Sequence, residues 1–371
     1  MSLFHIDAGR EWRGGQRQVL FLARELAGKN LDFRLVVQPG SPLHDKAAAE
    51  DLPVLPVKMR SEFDPAAVLR LAWAMKKQGC VLAHFHDAHG LAVGKAAARL
   101  AGVPLRVVSR RVDFPLRSRR KYIKNIDAVI AISEEVKRVC LEGGVPDSLI
   151  EVVPSGIDFT PFRNVEDRDF LRREFGFAAD DYLAGIVAQL EDHKGHRYLI
   201  EAAGFLKERA PHIKIIVVGE GSLRMELDRR ARELDVGDMV YFLGFREDVP
   251  RILASLDLFV LSSHMEGLGT SLMDAMACRL PIVATQAGGI PEIVIHRKTG
   301  LLVPPRDPDA LAQAILKLYL DRSLAGRLAR EGYDLVHRKF SAESMARKII
   351  EIYERLAVQK GVPLAGTREK D

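Results

Sequence analysis

The chain reads as two consecutive doubly wound α/β domains, each built on a parallel sheet. Three observations predict this. Short, almost wholly apolar runs alternate with amphipathic stretches, the pattern of strands buried on both faces and joined by crossover helices. The alternation pauses at Asp158 and starts afresh after Arg168. The 371 residues, 47% of them hydrophobic, suffice for two cores of ordinary size.

In order along the first half, Leu3–Asp7, Phe33–Val37, Val81–Phe85, Leu105–Ser109, Ala128–Ile132 and Ile150–Val153 read as strands. Between them Gly15–Leu26 and Pro65–Lys77 carry apolar residues at helical spacing. After the link Asp158–Arg168, strands recur at Leu183–Ala188, Ile213–Val218, Met239–Leu243, Leu258–Leu261, Pro281–Ala284 and Leu301–Val303. Ser341–Leu356 is a helix with Met345, Ile349, Ile352, Tyr353 and Leu356 on one face. The expected domains are residues 1–160 together with 341–358, and 161–340, with 359–371 as a frayed tail.

Composition narrows the function classes. No apolar run approaches the roughly 20 residues a bilayer requires, and Met1–Asp7 leads into a strand without a signal-peptide pattern, so the expected setting is cytoplasmic. Cys80, Cys140 and Cys278 lack metal-ligand spacing and read as buried free thiols. The net charge of +5 is uneven: residues 1–158 hold 24 Lys and Arg against 18 Asp and Glu. Its densest part is Arg106–Lys124, where Arg106, Arg110, Arg111, Arg117, Arg119, Arg120, Lys121 and Lys124 face only Asp113. That run is either a solvated face or a surface for an anionic membrane or phosphorylated acceptor. Phe114 and Tyr122 alone interleave it, which argues against nucleic acid.

The chemistry-bearing residues fall at strand ends. Ser262–Arg279 reads as strand end, acidic loop and helix, with Gly267 and Gly269 freeing the backbone before Thr270-Ser271. A helix start of this kind offers unpaired N–H groups to a diphosphate without any basic side chain. Glu266 stands before it, and Asp274 lies eight positions later. Gly14-Gly15 opens a similar loop-to-helix junction, but GxGxxG and the following acid are missing, so a nicotinamide site is not expected. His84-Phe85-His86-Asp87 crowds titratable groups at one strand mouth. With no Glu or Cys partner nearby, these point to binding rather than to a metal. In the second half Lys194 follows the first strand, Gly219-Glu220-Gly221 the second and Gly244-Phe245 the third. Ala287-Gly288-Gly289-Ile290-Pro291-Glu292 opens another helix toward the same face.

Taken together these residues resemble the family 4 (group 1) retaining glycosyltransferases, including those of lipopolysaccharide-core type. The resemblance runs through Gly14-Gly15, His84-Phe85-His86, Pro154-Ser155-Gly156-Ile157-Asp158, His193-Lys194-Gly195-His196, Gly219-Glu220-Gly221, Glu266-Gly267-Leu268-Gly269, Gly288-Gly289-Ile290-Pro291-Glu292 and Thr299-Gly300-Leu301-Leu302-Val303. It implies the GT-B arrangement, two Rossmann-like domains facing across a cleft, with the final helix crossing back to the first. It further implies a nucleotide-diphosphate sugar donor, most commonly a UDP-sugar, on the second domain and a glycan or glycolipid acceptor on the first. Neither metal nor resident cofactor is expected.

On that resemblance, Glu266 holds donor-sugar hydroxyls and Lys194 neutralises the leaving phosphate, while His86 lies near the sugar and acceptor. Gly14, Gly15, Gln189, Gly219, Phe245, Leu268, Gly269, Thr270, Ser271 and Asp274 surround the donor, and His84, Asp87, Arg110 and Arg111 lie on the acceptor side. Two positions depart from the family pattern: Asp274 replaces the usual ribose-binding Glu, and Gln189 stands where a basic residue is common. The implied setting is cell-envelope polysaccharide synthesis, with peripheral contact to an anionic inner membrane face. A sugar-nucleotide epimerase or hydrolase, or a non-catalytic sugar-nucleotide-binding subunit, are the alternative readings.

Overall fold

The computed structural model describes residues 1–163, 165 and 167–364, and the chain divides into two compact units, Met1–Gly156 with the segment from Ala342 onward, and Ile157–Ser341. The first unit contains β1 (Ser2–Ile6), β2 (Phe33–Val37), β3 (Val54–Pro56), β4 (Cys80–Phe85), β5 (Leu105–Arg110), β6 (Ala128–Ala131) and β7 (Ile150–Val152). They form one parallel sheet in the order β3-β2-β1-β4-β5-β6-β7. All residues of β1, β4 and β6 are buried, as strands covered by helices on both faces must be. Strand β3 escaped the sequence reading because it is only three residues long and ends in Pro56. Proline offers no N–H to a ladder, so it fits this edge position and no central one.

The second unit holds β8 (Tyr182–Val187), β9 (Ile213–Val218), β10 (Val240–Gly244), β11 (Leu258–Leu261), β12 (Ile282–Thr285) and β13 (Leu301–Val303), ordered β10-β9-β8-β11-β12-β13. Both sheets therefore run outward in opposite directions from a central pair, β1/β4 in one and β8/β11 in the other. At such a reversal the connections leave to opposite faces and open a crevice beyond the carboxyl ends of the strands, where ligands of open α/β sheets bind.

The final helix, Ala342–Lys360, belongs to the first unit and packs on the Gly14–Gly28 helix. Met345, Ile349, Ile352, Tyr353 and Leu356 enter the same apolar core as Leu20, Leu22 and Leu35. The tail corrects the expectation of fraying from 359. The helix runs to Lys360, whose Nζ donates to the carbonyl of Pro104 at 3.2 Å and pairs with Asp127, and Val362 and Leu364 rest against the core. The remainder of the expected tail, 365–371, lies outside the described residues. Cys80 and Cys140 are buried and Cys278 is half-buried, all three as free thiols that burial pushes upward in pKa. Among the described residues no helix is long and apolar enough to cross a membrane.

Candidate active site

In the second unit the β8/β11 reversal gathers the residues with the clearest chemistry. After β8 the chain makes a short 3-10 turn, Asp192–Lys194, then Gly195 in the left-handed region at φ +67°, then the His196–Leu206 helix. Gly195 is required there twice over, since a Cβ would also sit 2.1 Å from the carbonyl oxygen of Ser262. The Ser262 hydroxyl donates to the Lys194 carbonyl at 3.2 Å, and the His264 amide donates to the His193 carbonyl at 2.9 Å. These bonds lock the two loops together. As a result Lys194 Nζ lies 2.5 Å from Glu266 Oε2, both side chains largely buried, with the Ser263 hydroxyl 3.4 Å from the same oxygen.

Behind Glu266, Gly269 at φ +87° starts the Thr270–Ala277 helix without a side-chain cap. Thr270 and Ser271 are half-buried, whereas Leu268 and Asp274 lie inside, Asp274 only 4% exposed. Gln189 is half-buried at the end of β8, its carbonyl accepting from the Glu191 amide at 2.8 Å. Gly219 follows β9 directly and donates to the Gly244 carbonyl at 2.8 Å, and Phe245 beyond β10 is exposed. Ser263 and Thr285 were missed in the sequence. The Thr285 hydroxyl donates to the Ser263 carbonyl and so ties the end of β12 to the acidic loop, a contact without a sequence signal.

The first unit has a distinct cluster at β1/β4. Strand register pairs His5 with His84, so the order in which β1 neighbours β4 brings His5, unnoticed in the sequence, among His84 and His86. Arg111 Nη2 lies 3.4 Å from His86 Nδ1, and His86 Nε2 lies 3.1 Å from His5 Nδ1. Arginine can only donate, so His86 Nδ1 accepts, its Nε2–H donates to His5, and the proton of neutral His5 sits on Nε2. That last N–H is buried and, among the described residues, meets no hydrogen-bond partner. His84 is fully buried between the Tyr353 hydroxyl at 2.5 Å and the Ser109 hydroxyl at 2.9 Å.

Several acceptor-side expectations are corrected by this arrangement. His84 is a core residue with both nitrogens taken. Asp87 is the cap of the Ala88–Ala101 helix, accepting from the amides of His89 and Gly90 at 2.9 Å and from that of Ala8 at 2.6 Å. His86 is 4% exposed, with its two nitrogens engaged by His5 and Arg111. Arg110 is held by the Tyr122 hydroxyl at 3.0 Å and by the Phe114 carbonyl, and Nε of both Arg110 and the partly exposed Arg111 meets no hydrogen-bond partner among the described residues. Gly14 and Gly15 form the first turn of the Gly14–Gly28 helix, and a Cβ on Gly15 would touch Arg111 Cδ at 3.5 Å. The three histidines place nitrogens within 4.8 Å of one another, near metal-ligand spacing. Their in-plane lone pairs already serve each other, Tyr353 and Ser109, so the cluster reads as a hydrogen-bond network.

Asp7, at the end of β1, also escaped the sequence reading. Burial, then the nearby Asp87 carboxylate, push its pKa to about 6, against hydrogen bonds from Gln16 Nε2 at 3.0 Å and the Gly9 amide at 2.8 Å. Burial lowers the Arg111 guanidinium to about 10, with Asp7 pulling the other way. It also depresses His5 and His196 to about 3, and His84 and His86 well below the ordinary value. A depressed histidine contributes stability that is full above the unfolded pKa of about 6.5 and is lost as pH falls toward the folded value, because only the unfolded chain takes up the proton. Thermal melts should therefore show a steep loss between pH 6.5 and 4.5, approaching about 1.4 kcal/mol per pH unit per histidine. His5→Gln, which cannot titrate, should remove one histidine's share of that slope; an unchanged slope would mean that His5 is protonated in the fold.

A parallel-sheet domain with a Lys–Glu pair and a helix start without a side-chain cap at its topological reversal, joined to a second domain of the same class, fits the GT-B transferase architecture that the sequence resemblance implies. Comparison with known proteins agrees. Residues 12–160 match the family described as Glycosyltransferase Family 4, and residues 167–335 the one described as Glycosyl transferases group 1. The chain belongs to the family 4 (group 1) glycosyltransferases, and it is an enzyme of that kind. It is 26% identical over 382 residues to an Escherichia coli UDP-Gal:alpha-D-GlcNAc-diphosphoundecaprenol alpha-1,3-galactosyltransferase, covering 97% of this chain and 98% of that one. It is 32% identical over 284 residues to a Corynebacterium jeikeium D-inositol 3-phosphate glycosyltransferase, covering 73% and 66%. Its fold is similar to that of Anabaena HepE, solved in complex with UDP and glucose, at TM-score 0.86 and 21% identity over 96% of this chain and all of that one.

Proposed function

We propose that this enzyme transfers a sugar, with retention at the anomeric carbon, from a UDP-sugar held by the second unit to a glycan or glycolipid acceptor held by the first. The observation that carries this reading is the Lys194–Glu266 pair, largely buried at the β8/β11 reversal and followed by a helix start without a side-chain cap. Breaking the bond between sugar and diphosphate builds negative charge on the leaving oxygen and positive charge on the sugar. Lys194 and the amides at Thr270-Ser271 are preorganised donors for the first, and such donors are usually the largest single catalytic contribution. Glu266 grips the sugar hydroxyls. The leaving phosphate, on the same face as the incoming hydroxyl, accepts its proton, and neither a metal ion nor a protein nucleophile is needed. Gln189, Gly219, Phe245, Leu268, Gly269 and Asp274 complete the donor environment in the second unit, and Gly14, Gly15, Arg110 and Arg111 belong to the first. The cation-rich run Arg106–Lys124 suits an acceptor presented at the inner face of a membrane, in cell-envelope polysaccharide or lipopolysaccharide synthesis.

The test begins with nucleotide sugars screened for thermal stabilisation, because a ligand that binds only the folded state raises its apparent stability. The best donor is then assayed with membrane extract and without acceptor. Product that forms only with extract supports transfer, whereas efficient conversion of donor alone would point to an epimerase or hydrolase. Lys194→Ala is expected to lower turnover by more than about tenfold, equivalent to about 1.4 kcal/mol. A smaller effect would remove Lys194 from the assigned role.

A further inference from the structure

Beyond the basic run, the first unit carries an exposed apolar strip that the transferase site does not use. Phe63 is 89% exposed, and on the following Pro65–Lys77 helix Leu69 and Trp73 are each 64% exposed. Ala66, Leu69, Trp73 and Lys77 recur at helical spacing on the solvent side, while Ala67, Leu71, Ala72, Ala74 and Met75 face inward and pack the helix against Ala88–Ala101. Large side chains at this exposure in one stripe, Trp among them, mark an interaction surface.

The charges around the strip indicate what covers it. Arg60, Arg70, Lys76 and Lys77 are exposed along it, and the Lys77 ammonium sits 4.8 Å from the Trp73 ring centroid. The acids on either side of Phe63 are used inside the unit. Asp64 caps the helix, accepting from the amides of Arg60 at 3.0 Å and Ala67 at 3.1 Å, and Glu62 pairs with Lys121 at 2.8 Å. That last bridge ties the Phe63 turn to the Arg119–Ile123 helix, so exposed Arg119 and Arg120 extend the same cationic field. A second copy docked through this strip would set like charges against each other. An anionic surface answers them, and a Trp flanked by lysines is suited to the headgroup level, ring among the glycerols and ammonium at the phosphates.

We infer that the Phe63–Lys77 strip is the surface by which this enzyme docks on an anionic lipid bilayer, Phe63, Leu69 and Trp73 entering the headgroup region. The inference rests on the membrane-side setting proposed above and names the residues that make the contact.

Trp12 and Trp73 are the two tryptophans of the chain, so Trp12→Phe leaves Trp73 as the sole reporter. With phosphatidylcholine vesicles containing phosphatidylglycerol, Trp73 emission should shift to the blue and be quenched by brominated acyl chains, and salt should weaken both effects. Pure phosphatidylcholine should give neither. Trp73→Ser, on the solvent side, should leave the melting temperature unchanged and weaken vesicle binding by about tenfold. Co-sedimentation with anionic vesicles without Trp73 quenching would overturn this surface and leave the membrane-side setting standing. Absence of co-sedimentation would overturn both, while leaving sugar transfer to be judged by its own assay. A blue shift that grows with protein concentration in the absence of lipid would replace the bilayer with a second copy of the chain.

Discussion

Glu266→Ala is expected to lower kcat/KM for sugar transfer by about a hundredfold, ~2.7 kcal/mol, the range seen when one preorganised group at a reacting centre is removed. The expectation follows from placement. Glu266 is held by its backbone, whose carbonyl accepts from the Gly289 amide at 2.8 Å, and its carboxylate meets the Lys194 ammonium in a largely buried setting. Removal takes away the proposed grip on the sugar and leaves the lysine without its partner. Glu266→Gln keeps an acceptor and loses the charge, so it should fall between wild type and Ala. The two residues touch, so Lys194→Ala combined with Glu266→Ala should lose less than the two separate losses together. Asp274→Glu, a change inside the Thr270–Ala277 helix, should have a smaller effect than Glu266→Ala. Steady-state kinetics showing the reverse order would undo the assignment of Glu266.

Gly288→Ala is expected to lower both activity and stability strongly, although no side chain that touches substrate is changed. Gly288 has φ +50°, and a Cβ on it would lie 2.0 Å from the carbonyl oxygen of Glu266 and 3.0 Å from its amide nitrogen. The obstructing atoms are backbone, so the conflict is relieved only by moving the acidic loop itself. Strain of this kind costs about 1–3 kcal/mol, and a displacement of about 1 Å at a reacting group can cost a hundredfold in rate. The control is Gly204→Ala on an exposed position of the His196–Leu206 helix, where an added Cβ meets nothing within 4 Å and should stabilise by about 1 kcal/mol. Circular dichroism melts and donor turnover on the two variants separate the explanations. A Gly288→Ala protein that retains wild-type turnover would show that the position of Glu266 is not set by this contact.

The donor side was legible because its residues are close in sequence and their chemistry lies in the backbone path. Strand β11, Glu266, the Gly269 turn and the helix at Thr270 lie within twenty consecutive residues, and each leaves a local mark: an apolar run, an acid, a glycine, a helix start. Lys194 and Gly195 carry the same kind of mark after β8. The contact between Lys194 and Glu266 is different, since it spans 72 positions and exists only because β8 and β11 are neighbours in the sheet.

The acceptor side was less legible for the same physical reason. His84, His86 and Asp87 crowd one strand end, and crowding alone does not tell a functional cluster from a structural one. His5 and Tyr353 turn the first two into members of a buried network, which does not follow from local spacing, whereas Asp87 proves to be a helix cap, accepting from amides two and three residues on. The Phe63–Trp73 strip shows the converse case. Pro65–Lys77 reads correctly as an amphipathic helix, yet an apolar face and an exposed apolar stripe look alike until the core side is known.

The sequence by itself determined the class: two repeated βα series and the order of the strand-end motifs, written in short-range periodicity and turn chemistry. The tertiary structure alone decided which strands are neighbours, and with that which charges meet. Side-chain protonation, hydrogen-bond partners and exposure depend on atoms brought together across the sheet. Thus Lys194 finds Glu266, Arg111 sets the proton of His86, and Trp73 is left facing solvent.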